Sequence, residues 1–199
     1  MFGKLIAQRK ARRKADVESR DLYGHLVSVA RDPKFYTPPF NVDDTVEGRF
    51  ELILVHLFII DFWLSKSDGL VLLRRALQEI LITDMDRSLR EMGIGDMSVG
   101  KQMKKVGAAL LGRLQSYKLA IENASGEQDA ETKTAEIMTR NIAGLETSQD
   151  SKALASYLVA EVASVSVYDP SDWKMGELVF RPDAKNDRET ASASEGIGI

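Results

Sequence analysis

Between Phe50 and Leu64 the chain is apolar at almost every position: Phe50, then 52–55, 57–60 and 62–64, broken only by Glu51, His56 and Asp61. A helix built from this run turns an apolar surface in nearly every direction, and in water such a helix has to be enclosed by others. It is not a membrane span, because its uninterrupted runs fall well short of the ~20 apolar residues a crossing needs. Three ionisable groups inside it would also be costly in lipid. The segment therefore points to an all-α fold, a single helical domain around a buried central helix. Asp44 is the expected cap for that helix, accepting the first orphan N–H groups, with Glu47 three residues on as in a capping box.

The rest of the chain supplies helices to enclose it. Leu22, Leu26, Val29 and Ala30 recur at helical spacing until Pro33 and Pro38-Pro39 forbid regular structure near Arg31. Leu70, Leu73, Leu77, Ile80 and Leu81 mark a helix that continues through Leu89 and Met92 to a glycine stop at Gly93-Ile94-Gly95. A further helix, capped by Ser98, carries Val99, Met103, Val106, Leu110, Leu114, Tyr117 and Ile121 on one stripe. Lys101, Lys104 and Lys105 fall opposite Met103, and Arg113 and Lys118 flank the apolar stripe. Residues 124–129 read as a loop, and weaker helices are expected over 134–145 and 152–167. The β-branched stretch from Val162 to Tyr168 makes the second of these the least secure. Trp173 and Leu178-Val179-Phe180 are expected to pack back on the core, and 183–199 to form a disordered polar tail. The organisation is thus a flexible basic arm (1–18), a helical domain (19–182) and a tail (183–199).

A length of 199 residues, 44% of them hydrophobic, allows one sizeable core. With no cysteine there is no disulfide, thiolate nucleophile or sulfur-ligated metal. Two histidines, His25 and His56, leave few parts for acid–base or metal chemistry, so no metal and no cofactor are expected. The formal charge of −3 argues against a DNA partner or whole-molecule attraction to nucleic acid or lipid. Local attraction remains open. Lys4, Arg9, Lys10, Arg12, Arg13 and Lys14 stand together at the N-terminus with no acidic residue among them. This arm lacks the apolar run of a secretory signal, and no serine precedes Ser19, so a mature bacterial N-terminus is expected over a mitochondrial presequence. It reads either as a solvated helix start or as an electrostatic foot on RNA or anionic lipid.

Two blocks carry a family resemblance. The first runs Tyr23-Gly24-His25-Leu26-Val27 and on through Asp44-Thr45-Val46-Glu47-Gly48-Arg49-Phe50 to His56. The second is Met85-Asp86-Arg87-Ser88-Leu89-Arg90-Glu91-Met92-Gly93-Ile94-Gly95-Asp96, running into Val99-Gly100-Lys101. Together they resemble the ubiquinol–cytochrome c chaperone family over roughly 22–117, with weaker agreement at Arg140-Asn141 and 176–180. The resemblance implies a non-enzymatic assembly factor that holds newly made cytochrome b for the ubiquinol–cytochrome c reductase. Mitochondrial members do so with a small partner at the ribosomal exit tunnel. A cytoplasmic protein peripheral at a bacterial inner membrane is expected, with a mitochondrial location as the alternative.

Such a protein has to show apolar surface to an unfinished membrane protein. Phe50, Ile53, Leu57, Ile60 and Trp63 are the candidate client-binding residues. Lys101, Lys104, Lys105 and Arg113 are a candidate basic surface for RNA phosphate, lipid headgroups or an acidic client loop. His56 is expected to be a satisfied core histidine, because no second haem ligand stands near it in sequence. Asp84, Asp86 and Arg90 are read as structural, an ion pair holding the Gly93 corner, with Asp84 in register with the apolar stripe and therefore in need of a partner, for which Arg87, Arg90 or Lys101 are available. The Asp84-Met85-Asp86 run lacks the glycine of a calcium loop, and Gly93-Ile94-Gly95 lacks the third glycine of a dinucleotide fingerprint. Two rivals remain: a ribosome- or RNA-associated adaptor using the arm and the Lys101 to Lys105 face, and an enzyme using Asp84 and Asp86.

Overall fold

The computed structural model describes residues 2–142, 145 and 148–172. Six helices follow one another: α1 (Phe2–Ala30), α2 (Val46–Leu64), α3 (Val71–Glu91), α4 (Asp96–Glu122), α5 (Glu127–Asn141) and α6 (Ser148–Val165). Short 3-10 turns occupy Pro33–Tyr36, Asp68–Leu70 and Pro170–Asp172. Among the described residues there is no strand. The all-α expectation holds, and so does the buried centre: α2 lies among α1, α3, α4 and α6, and every residue from Glu51 to Leu64 is buried. Trp63 donates from Nε1 to the Tyr168 carbonyl at 2.9 Å, so the chain leaving α6 folds over the C-terminal end of α2.

Local chemistry shifts several helix ends from their expected places. Thr45, not Asp44, caps α2; its extended backbone aims Oγ1 at the Gly48 N–H, 3.1 Å away. Asp44 turns outward to the Arg49 guanidinium at 2.6 Å. Gly48 is required here, because a Cβ would run into the Asp43 carbonyl. Ser98 lies inside α4, which begins at Asp96 after Gly95, and Asp96 places its charge in the first turn where the helix dipole favours it. The stop at Gly93 is as expected, with φ of 78°. The expected loop over 124–129 is shorter, because Asp129 accepts from both the N–H and the hydroxyl of Ser125 at 2.9 Å and starts α5 at Glu127.

The basic arm is the first half of α1, continuous through residues 18 and 19 with no breaker. Lys4 and Arg9 to Lys14 are all exposed, and Ala15 is buried. α6 stays helical to Val165 despite its β-branched end. Trp173, Leu178, Val179 and Phe180 and the tail 183–199 lie outside the described residues.

Candidate functional site

The three polar interruptions of the central helix sit five residues apart, and at 100° per residue successive ones point about 140° apart. Each therefore meets a different neighbour. Glu51 takes a two-pronged contact from Arg113 of α4, at 2.9 Å from Nε and 2.7 Å from Nη2. His56 bonds the Leu52 carbonyl through Nδ1 at 2.7 Å and the Tyr157 hydroxyl of α6 through Nε2 at 2.9 Å. Asp61 accepts from Arg74 at 2.7 Å and Gln78 at 2.7 Å, both on α3. The buried charges are paired, as burial demands. Burial lowers His56 to about 4, so it is neutral; a carbonyl only accepts, so Nδ1 carries the proton and Nε2 accepts from Tyr157. Burial also pushes Glu51 up, against the downward pull of Arg113.

The enclosure fails at one end. Where α2 begins, it diverges from the last turns of α3 and the middle of α4, leaving a groove of about 390 Å³. Phe50 and Ile53 form one wall, Met85, Leu89 and Met92 of α3 a second, and Val106 and Ala109 of α4 the third. Val46 and Met92 are 58% and 49% exposed at its mouth. Arg31, Arg49, Lys105 and Glu47 rim it. Its size and apolar lining suit an aliphatic or aromatic segment oriented by a few charges. Methionines in two places give a surface that adapts to different side chains.

This geometry divides the candidate residues. Phe50 and Ile53 line the groove, Ile53 with only 5% of its surface exposed, whereas Leu57 and Ile60 are 0% and Trp63 2% exposed and lie in the core away from it. Arg113 leaves the basic surface, because Glu51 holds it inward and its side chain is 15% exposed. Lys101, Lys104 and Lys105 are exposed on one face of α4. Asp84 is partly covered; it accepts from the Tyr23 hydroxyl at 2.9 Å and from Arg87 at 2.8 Å, rather than from Arg90. Asp86 is more open, and Arg90 bridges it to Asp96 across the Gly93 corner at 2.7 and 2.6 Å. Asp84 and Asp86 point to different partners and form no carboxylate pair.

Met85, Leu89, Met92 and Arg31 were not picked out by residue type, although Met85, Leu89 and Met92 step by four and three along α3 beyond its core residue Leu81. Among the described residues no group of three or more His, Asp or Glu is placed to hold a metal ion. Among them, too, no helix is long and apolar enough to cross a membrane.

The crystal structure of a Cbp3 homolog from Brucella abortus superposes on this chain with a TM-score of 0.71 and 27% identity, covering 93% of this chain and 98% of that one. Comparison with curated proteins finds no match. The family described as ubiquinol-cytochrome C chaperone matches residues 39–180, which takes in the start of α2, both other walls of the groove and the Glu51–Arg113 pair. On that match the chain belongs to the ubiquinol-cytochrome C chaperone family.

Proposed function

We propose that the protein is a non-enzymatic assembly chaperone that binds newly made cytochrome b on its way into the cytochrome bc complex, receiving an apolar client segment in the groove at the start of α2. The observation that carries this reading is the groove itself. It collects Phe50, Ile53, Met85, Leu89, Met92 and Val106 where the central helix is left open, within a chain of the chaperone family. Apolar side chains held apart from one another across a groove favour an unfinished membrane segment over water, at about 25 cal/mol per Å² of apolar surface covered. The protein works at the cytoplasmic face of a bacterial inner membrane, where such a client emerges.

The test is deletion of the gene and complementation with groove variants. Cytochrome b and reductase activity in membranes are expected to fall on deletion, to return with the wild type, and not to return with Phe50→Asp plus Met92→Asp. Photo-crosslinks from Phe50 and Met92, but not from Leu111 on the outer face of α4, are expected to capture cytochrome b. Unchanged cytochrome b on deletion overturns the reading. A second reading, a ribosome- or RNA-bound adaptor, draws on the exposed Lys101, Lys104 and Lys105. It requires binding that falls steeply with salt and after charge reversal there, whereas capture in an apolar groove tolerates salt.

A further inference from the structure

One side of α1 carries a run that lies mostly outside the core and the groove. Stepping by three and four from Ile6, it reads Arg9, Arg13, Val17, Arg20, Gly24, Val27 and, just past the helix end, Arg31, with no acidic residue. The core-facing residues of α1, Ala15, Ser19, Leu22, Leu26 and Ala30, lie about 140° around the helix from it. Ile6 is 62% and Val17 51% exposed, and all four arginines are exposed. At 1.5 Å per residue the helix is about 43 Å long, so the run is an extended stripe of alternating guanidinium and aliphatic groups.

Towards its C-terminal end the stripe becomes one wall of a cleft. Arg20, Gly24, Val27 and Arg31 of α1 face Thr83, Asp84 and Arg87 of α3 across about 560 Å³. The one carboxylate in it, Asp84, is already engaged by Arg87 at 2.8 Å and by the Tyr23 hydroxyl at 2.9 Å. Arg20 and Arg31 form no ion pair among the described residues. The cleft thus offers two free guanidiniums in a wet, concave site. Arg31 also lines the apolar groove on its other side, so cleft and groove meet at this residue.

We propose that this stripe and cleft form a docking surface for an anionic phospholipid bilayer, with Arg20 and Arg31 each offering a guanidinium to a lipid phosphate at the cleft. Three considerations select that occupant. Guanidinium groups bind phosphate in forked geometry, and basic residues near an anionic leaflet attract it. Ile6 and Val17 gain by dipping into the boundary between headgroups and acyl chains, as in helices that lie on membranes. An RNA strand would use the arginines but has no use for aliphatic side chains between them, since strand-binding surfaces interleave aromatic rings. The client's own loops are poor candidates for the cleft, because membrane-protein segments on this side of the bilayer are rich in Lys and Arg.

Docked this way, the groove opens beside the headgroup layer, and a segment leaving it enters the bilayer without crossing open water. This consequence rests on the groove reading; the docking itself does not, and it is measured with no client present. The full chain is sedimented with vesicles of phosphatidylcholine alone and of phosphatidylcholine with one-third phosphatidylglycerol. Binding is expected only to the second, weakening with salt.

Arg20→Gln with Arg31→Gln, and separately Arg9→Gln with Arg13→Gln, are each expected to weaken binding roughly tenfold, while Leu111→Gln on the outer face of α4 leaves it unchanged. Far-ultraviolet dichroism confirms that each variant is folded. Equal binding to both vesicles, or arginine variants that bind like the wild type, overturns the proposal. So does inorganic phosphate displacing the vesicles at millimolar levels, which would mark a soluble phosphate ligand. Tighter retention on an RNA homopolymer than on the anionic vesicles, lost in the same variants, overturns it in favour of RNA. If vesicle binding holds and cytochrome b is unaffected by gene deletion, docking stands and the chaperone reading falls.

Discussion

The two ends of α2 are built from the same kinds of residue and put to opposite uses. From Leu54 to Leu64 the helix is covered on all sides, and its polar members His56 and Asp61 are each bonded to a neighbouring helix. At its start, Phe50 and Ile53 face the groove instead. Composition does not separate them: leucine, isoleucine and phenylalanine occur in both halves. What separates them is the groove itself, which the end of α3 and the middle of α4 line at one half of α2 and not at the other. Apolar character therefore marks both the core and the groove, and only the placement of the neighbours decides which is which.

Substitutions sharpen the contrast. Leu57→Ala at the sealed end removes atoms that nothing can replace and is expected to destabilise the fold by about 4 kcal/mol, read as a lowered urea midpoint. Arg113→Leu comes next, at about 3 kcal/mol, because it strands the buried Glu51 carboxylate. The double variant Glu51→Leu with Arg113→Leu is expected to recover most of that loss, since the pair's contribution lies mainly in cancelling its own burial cost. Phe50→Ala at the open end should cost only about 1 kcal/mol while abolishing client crosslinks. If Phe50→Ala proves as destabilising as Leu57→Ala, the two halves are not distinct and the groove is core.

How much of this could be read from sequence follows from the same geometry. The buried pillar was legible because no other fold accommodates a water-borne helix that is apolar all round, and the glycine stop at Gly93 because few residues adopt its backbone. The cap of α2 moved by one residue because Asp44 and Thr45 offer similar chemistry and backbone direction chooses between them, whereas the cap position of α4 is Gly95, three residues before Ser98, with no side-chain cap. Leu57, Ile60 and Trp63 looked as available as Phe50 because periodicity gives the face of a residue on its own helix but not the angle at which the next helix approaches. Arg113 looked like surface because its partner lies 62 positions away in sequence. The five-residue spacing of Glu51, His56 and Asp61 held the arrangement of three neighbouring helices, but only in retrospect of where each neighbour stands.

The sealed end also carries a pH signature. Burial raises Glu161 of α6 from 4.5 to about 7, offset in part by Lys34. The folded state keeps that proton in the window from 4.5 to about 7 while the unfolded chain gives it up, so the contribution is full below 4.5 and lost as pH rises through about 7. His56 acts oppositely: lowered from 6.5 to about 4, it contributes fully above 6.5 and loses that contribution as pH falls through about 4. Glu161→Gln removes the first contribution alone. Its melting temperature is expected to exceed the wild type's at pH 8 and to match it near pH 5. A difference that does not change with pH would show that Glu161 is solvated.

The smallest effect belongs to the arginine with the shortest contacts. Arg90 reaches Asp86 at 2.7 Å and Asp96 at 2.6 Å, geometry as good as that between Arg113 and Glu51 at 2.7 Å. Yet its side chain is 51% exposed and that of Asp96 89%, so water and salt screen both pairs and each charge is well solvated when the other is removed. Arg90→Ala is therefore expected to leave the melting temperature unchanged within error at moderate salt, against the large drop for Arg113→Leu. The two substitutions delete nearly the same set of bonds at different depths, so their ratio measures burial with chemistry held constant. A loss for Arg90→Ala comparable to that for Arg113→Leu would mean that the Gly93 corner is held by charge, and that the groove's third-helix wall depends on a surface contact rather than on packing.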